Sequence, residues 1–248
     1  MTQRFRLLVE YDGRPFSGWQ RQQDRPSIQE SIEKAAEAVD GAPVVVQGAG
    51  RTDSGVHALG QVAHLDFQRP IEQRKVADAL NAHLRPLPIA ILDAQPVREG
   101  FHARFDALAR HYRYRIINRR ADLTVRKGLA WRRPEHLDEG AMHEAAQALL
   151  GTHDFSTFRD TGCQADSPLR TLDAIAVTRA GNEVDVTCSA RSFLHRQVRS
   201  IVGSLVEVGR GRHETGWIAN ILAAKTRTAC GPVAPATGLY LERVDYPE

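Results

Sequence analysis

One carboxylate draws attention in this sequence. The run GAGRTDSGVHALGQ, residues 48–61, gathers four glycines around Asp53, with Arg51 two residues before it and His57 four residues after. Glycines allow close approach of a substrate to the backbone, and a neighbouring arginine keeps a carboxylate ionised. An ionised, partly desolvated aspartate is a competent nucleophile toward an electrophilic sugar or ring carbon. The plainer alternative makes Asp53 a turn residue whose side chain bonds the Gly55 amide while the glycines supply positive φ. The tripeptide alone supports both.

Two other chemistries fail on detail. A phosphate cradle requires G-x-x-x-x-G-K-[ST], which the chain lacks, and the dinucleotide fingerprint requires glycine where Asp53 stands. Either motif must also open a helix, whereas a strand pattern follows here. Asp53-Ser54-Gly55 and Asp160-Thr161-Gly162 together imitate the paired D-[ST]-G of an aspartic protease. Such a pair shares one proton, which adjacent cations oppose by lowering both pKa values, and Arg51 and Arg159 flank the two acids.

The elements that must position these residues follow from periodicity. Phe5, Leu7, Val9 and Tyr11 alternate with polar neighbours and predict a strand over 5–11. The loop YDGRPFSGWQRQ follows, and then a helix whose capping box is Ser27 with Glu30 and whose stripe is Ile28, Ile32, Ala35, Ala36 and Val39. Strands are expected over 43–46 and 61–67, a helix over 72–84 and a strand over 89–97. The motif is therefore expected in a loop joining strands. The strand over 109–117 places Arg110, Tyr112, Tyr114 and Ile116 on one face. Asp138 caps the next helix, ended by Gly151, and strands follow over 171–178 and 183–189. A helix over 192–208 puts Arg196, Arg199 and Gly203 on one face, off its apolar stripe. A short helix over 217–222 and a strand over 238–244 close the chain. The two halves repeat a similar order of sheet and helix. This predicts an α+β fold of two lobes, residues 1–105 and 106–248, with a cleft between them.

The chain has 248 residues, ample for a buried core. No apolar run approaches the roughly 18 residues of a membrane span, and the start MTQRFRLLVEYDG lacks the apolar region of a signal peptide. The three cysteines, Cys163, Cys188 and Cys230, show neither C-x-x-C nor zinc spacing. The expectation is a soluble, cytoplasmic protein without a structural metal. Net charge is only +3, but 29 of the 33 basic residues are arginine, and they are unevenly spread. Residues 101–133 hold nine Arg and one Lys against Asp106 and Asp122, interleaved with Phe101, Phe105, Tyr112, Tyr114 and Trp131. Such a block suits phosphate contacts and stacking platforms for unpaired bases; the plain reading is a solvated strand face.

The run Gly50-Arg51-Thr52-Asp53-Ser54-Gly55-Val56-His57-Ala58, then Gly60-Gln61-Val62, closely resembles the catalytic motif of the TruA family, tRNA pseudouridine synthase I. The resemblance extends through Glu10-Tyr11-Asp12-Gly13, Gly18-Trp19-Gln20-Arg21-Gln22, Phe101-His102-Ala103-Arg104-Phe105, Tyr112-Arg113-Tyr114, Val198-Arg199-Ser200-Ile201-Val202-Gly203 and Gly238-Leu239-Tyr240-Leu241, in family order. It departs mainly at Ser54, where the family often has alanine.

The resemblance implies a pseudouridine synthase fold of two similar α/β lobes, with mixed or antiparallel sheets flanked by helices and a central active-site cleft. It also implies a homodimer that isomerises uridine at positions 38, 39 and 40 of the tRNA anticodon stem-loop. Asp53 would be the catalytic nucleophile, Arg51 would help displace the target nucleotide from its stack, and Tyr112 would stack on the flipped base. Arg199 would pair with the catalytic aspartate and keep it charged. His57 and Trp19 match family positions but are equally explained as core residues. The isomerisation has no redox step, and no cofactor or metal is expected. The competing hypothesis is a tRNA-binding or tRNA-remodelling protein without chemistry.

Overall fold

The computed structural model describes residues 2–247, and its chain divides into two compact units. The first comprises residues up to Leu108 together with those from Tyr240 onward, and the second runs from Ala109 to Leu239. The expected division placed the C-terminal strand with the second half. It joins the first unit because Tyr240 and Leu241 pair in parallel with His57 and Ala58.

In the first unit, β1 (Gln3–Tyr11) lies between β3 (His57–Phe67) and β4 (Ile89–Pro96), antiparallel to both. β10 (Leu239–Asp245) continues the order on the far side of β3, and β2 (Gln47–Gly48) adds a short antiparallel pairing to β3. The alternation of β1 is realised in full: Phe5, Leu7, Val9 and Tyr11 are buried, and Phe5 meets Leu65 across the ladder. Two helices supply apolar stripes to the core. α1 (Ile28–Asp40) buries Ile28, Ile32, Ala35 and Ala36, and α2 (Gln73–Leu84) buries Val76, Leu80 and Leu84. Each large apolar side chain so buried contributes about 1.5–3 kcal/mol. The Ser27 cap forms as read, its hydroxyl accepting the Glu30 amide, and Gly41 ends the helix at φ 82°. A smaller cluster joins Ala49, Val62, Phe101 and Ala103, with Leu8, Val244 and Tyr246 packed against it.

The second unit orders its strands β5 (Ala109–Asn118), β9 (Glu183–Ala190), β8 (Leu169–Ala180) and β7 (Gly151–Asp154), all antiparallel. β6 (Trp131–Arg133) pairs in parallel with β5. Arg110, Tyr112, Tyr114 and Ile116 share the buried face of β5, as their alternation predicts. Three helices, α3 (Glu139–Ala146), α4 (Gln197–Gly209) and α5 (Trp217–Ala224), complete the unit. The Asp138 side chain caps α3 by accepting the Ala141 amide. The α+β character read from the sequence is present in both units.

Several expected boundaries move, among them the end of α3, which stops at Ala146 rather than at Gly151, and three have a clear physical reason. Residues 43–46 form no strand. The amide of Val46 donates to Glu33 Oε1 and its carbonyl accepts from Gln29 Nε2, so side chains of α1 take the place of a strand partner. β3 begins at His57, inside the motif, because Tyr11 and Tyr240 supply partners there. α4 starts at Gln197, five residues later than expected. Arg196 takes a left-handed conformation (φ 59°), and Gln197 turns its Oε1 back to accept the Leu194 amide.

Candidate active site

Asp53 sits in the segment between β2 and β3, and the preceding loop of the chain grips that segment from two sides. Thr52 is buried, and its hydroxyl shares a 2.8 Å hydrogen bond with the hydroxyl of Tyr11, the last residue of β1. Its carbonyl accepts the Trp19 amide at 3.1 Å. Gly18 makes that approach feasible: its φ is 97°, and a Cβ there would lie 2.6 Å from the Thr52 carbonyl oxygen. On the other side, Gly13 passes so close to Val56 that a Cβ would meet its carbonyl oxygen at 2.0 Å. Ser54 Oγ donates to the Phe16 carbonyl, and the Val56 amide closes the turn onto the Asp53 carbonyl at 3.1 Å. Asp53, half-buried, thus lies between buried Thr52 and Val56, with Arg51 exposed two residues before it. This clasp explains why Y-D-G and G-W accompany R-T-D-S-G in one sequence.

Tyr11 is fully buried, and burial pushes its hydroxyl well above the ordinary tyrosine value despite the bond to Thr52. It stays protonated at any working pH. Asp12, the next residue, faces the His57 ring, with Oδ1 at 3.2 Å from Nδ1. The same nitrogen lies 3.2 Å from the Gly13 amide. One ring nitrogen serves one role at a time, accepting from Gly13 when neutral and donating to Asp12 when protonated. Burial alone would raise Asp12, but the Arg14 guanidinium and amide, with His57, hold its carboxyl below the usual range. Tyr240 stacks on the other face of this arrangement, its ring 4.8 Å from that of His57 at 20°. His57 and Trp19 are both buried in the first unit, Trp19 against Gly48, where a Cβ would sit 2.5 Å from the indole.

The other two site residues read from the sequence lie in the second unit. Tyr112 projects from β5 opposite Cys188 of β9, and its ring meets Phe193 edge-on at 5.2 Å. It retains 8% exposure. Tyr114, on the same face, has none and donates its hydroxyl to the Pro235 carbonyl at 2.7 Å, so its part is core packing. Arg199 lies on α4. Its spacing suggests a solvated helix face, but α4 has none: every residue of Gln197–Gly209 except Arg199 is buried. Its Nε donates to the Ala234 carbonyl at 2.8 Å, and its own carbonyl accepts the Ala234 amide. Gly203 permits that contact between α4 and the 232–234 segment, since a Cβ would overlap the Pro232 carbonyl at 1.7 Å. Arg196 is not on the helix face with Arg199 and Gly203; it precedes the helix and pairs with Asp160.

The comparisons with known proteins agree along the chain. A family model described as tRNA pseudouridine synthase matches residues 7–106 and 145–247. The chain belongs to the tRNA pseudouridine synthase family. Curated relatives named tRNA pseudouridine synthase A include those of Maricaulis maris at 63% identity and Hyphomonas neptunium at 62%, each match spanning 98% of both chains. One from Rhodopseudomonas palustris is 59% identical over 98% of this chain and 99% of its own. A chain of the solved Cbf5-Nop10-Gar1 complex aligns over 81% of this chain and 54% of its own, at 12% identity and a TM-score of 0.32, too weak to carry an argument. Family membership makes this an isomerase acting on tRNA. The Tyr11–Thr52 bond and the Gly13 and Gly18 contacts fix the loop that carries Asp53. Tyr11 and Thr52 stand within the motifs, yet nothing in the sequence marks a role for either, because the alternation of β1 accounts for Tyr11 as core and hides the use of its hydroxyl.

Proposed function

We propose that the protein converts uridine to pseudouridine at positions 38, 39 and 40 of the tRNA anticodon stem-loop, with Asp53 as the nucleophile. The N1–C1′ bond breaks, the base turns while bound, and C5 joins C1′; C5 gives up its proton and N1 gains one, so atoms and electrons balance without a redox partner. The observation that carries this reading is the anchored loop that bears Asp53, held at buried Thr52 and Val56 in a chain of this family. A carboxylate prepositioned by its surroundings spends no reorganisation at the moment of reaction.

Arg51, exposed two residues before Asp53, fills the space that the flipped nucleotide leaves, offsetting an extrusion cost of a few kcal/mol. Tyr112 stacks on the flipped base, and Arg199 supports the catalytic carboxylate, as the family resemblance assigns them. The protein works as a cytoplasmic homodimer. Support for the compartment comes from three unpaired cysteines, and no described helix is long and apolar enough to cross a membrane. Support for the dimer is the resemblance alone.

The test is direct. Purified protein is incubated with an unmodified tRNA transcript, which is then digested to nucleosides and separated by chromatography. One pseudouridine per modified anticodon-arm uridine is expected, and replacing those uridines by cytidine removes it. Unchanged uridine with retained tRNA binding would favour the binding-protein reading.

A further inference from the structure

The basic block over 101–133 offers five aromatic side chains to a nucleic acid, and the structure separates them. Phe101, Tyr112 and Tyr114 are buried, and Trp131 is half-buried with the Arg133 guanidinium 4.9 Å from its ring centre. Phe105 alone is exposed, at 67%. Its surroundings are ordered for presentation. The His102 ring lies 4.3 Å from it at 36°, and the Arg104 guanidinium lies 5.5 Å from its centre. His102 Nδ1 accepts the amides of Arg104 and Phe105, which folds the segment into a tight turn. The Asp106 carboxylate accepts the His102 amide and pairs with Arg98. The foot of the turn is anchored by the Tyr246 hydroxyl on the Ala103 carbonyl, by the Ala103 amide on His64 Nδ1, and by Arg4 on the Phe101 carbonyl. Phe101 and Ala103 pack into the same cluster as Ala49, two residues before Arg51. A large aromatic held outward by a rigid turn, rather than folded into the adjacent cluster, marks a contact surface.

We propose that Phe105, flanked by His102 and Arg104, is a stacking platform for one unpaired nucleotide of the bound tRNA. This rests on the tRNA reading above. Its flat face offers π-stacking to any base, and Arg104 adds cationic attraction both to the base and to the adjoining phosphate. The platform shares its buried foot with Ala49, in the segment that leads from β2 to Asp53, which suits a nucleotide near the one being isomerised.

The experiment measures tRNA affinity by filter binding across a salt series. Phe105→Ala is expected to weaken binding about tenfold, and Phe105→Leu equally, since it keeps apolar bulk but no flat face. Phe105→Trp retains affinity. The slope of log Kd against log salt is unchanged in all three, whereas Arg104→Ala lowers it by about one phosphate contact. Leu108→Ala, another exposed apolar position, binds as the parent does. Affinity unchanged in Phe105→Ala overturns the proposal. So does full affinity in Phe105→Leu, or a loss of mass in sedimentation for Phe105→Ala at unchanged tRNA affinity, which would assign the ring to a second copy of the chain. If the parent protein itself fails to bind tRNA, the underlying reading falls with it, and the parent lane alone shows that.

Discussion

Two turns of this protein have nearly the same sequence and opposite surroundings. Asp160-Thr161-Gly162 is a capped loop: Asp160 Oδ1 accepts the Gly162 amide at 3.0 Å, and Oδ2 pairs with Arg196 at 3.0 Å, with the His195 ring at 3.5 Å from Oδ1. Burial would raise its pKa, but those partners hold it below the usual value, and its carboxylate is committed to holding the loop. Asp53-Ser54-Gly55 is instead gripped through its neighbours. Tyr11, Trp19, Phe16 and Gly13 bind or press on Thr52, Ser54 and Val56. These contacts fix the backbone on both sides of Asp53. A D-[ST]-G tripeptide is therefore uninformative by itself, since nearly the same three residues stand in turns that the fold anchors through different neighbours.

The largest effect expected from this contrast is at the two acids. Asp53→Asn lowers the rate of pseudouridine formation by at least ~10³-fold, while Asp160→Asn changes it less than about threefold and costs about 1 kcal/mol or less of stability. Steady-state kinetics and thermal melts of both variants give the comparison; similar losses in the two would erase it. Next come the residues of the clasp. Thr52→Val and Tyr11→Phe each remove the buried hydrogen bond and let the loop shift, so kcat falls about 10- to 100-fold with KM for tRNA little changed. Thr52→Ser restores most of it. A defect that appears in KM, or that Ser fails to rescue, would give the hydroxyl pair a merely structural part. Gly18→Ala strains a left-handed residue against the Thr52 carbonyl and is expected to cost about 1–3 kcal/mol, read as a lower Tm together with a lower kcat.

The smallest effect is on acid stability. Burial, reinforced by His102 and Arg4, pushes His64 down to about 4 from 6.5. The unfolded chain then takes up a proton near pH 6.5 that the folded chain refuses until about 4, so the stability held above pH 6.5 is lost as pH falls through that window. Asp66, held below its usual value by Arg4, adds loss at still lower pH. His64→Gln flattens the slope of stability against pH between about 6.5 and 4. An unaltered slope would place the acid sensitivity elsewhere.

Much of this was legible in the sequence, for reasons that differ by element. The alternation in β1 and β5 named the buried faces correctly because a sheet buried on one side leaves a period of two. The Ser27 and Asp138 caps were legible because capping is local. The 43–46 strand was misread because its backbone bonds go to Gln29 and Glu33, side chains of a helix more than ten residues earlier, and no periodicity reports such a partner. β6 and β7 escaped notice because three and four residues carry too little pattern. At the site, Asp53 and Arg51 stand out by type and spacing, and the resemblance supplies the roles proposed for them. Thr52 and Tyr11 were given no role, since a hydroxyl bond across 41 residues leaves no mark on either segment alone. Arg199 was named by resemblance, and its fixed position on an otherwise buried helix emerges only from the packing of α4.

The most direct test of the central claim follows tritium released to water from C5 of uridine in an unmodified tRNA transcript, with binding of the same transcript measured in parallel. Release by the parent protein, with none from Asp53→Asn despite equal tRNA affinity, is the predicted result. Release that persists in Asp53→Asn would contradict the account, and Asp53 would then be a turn cap like Asp160.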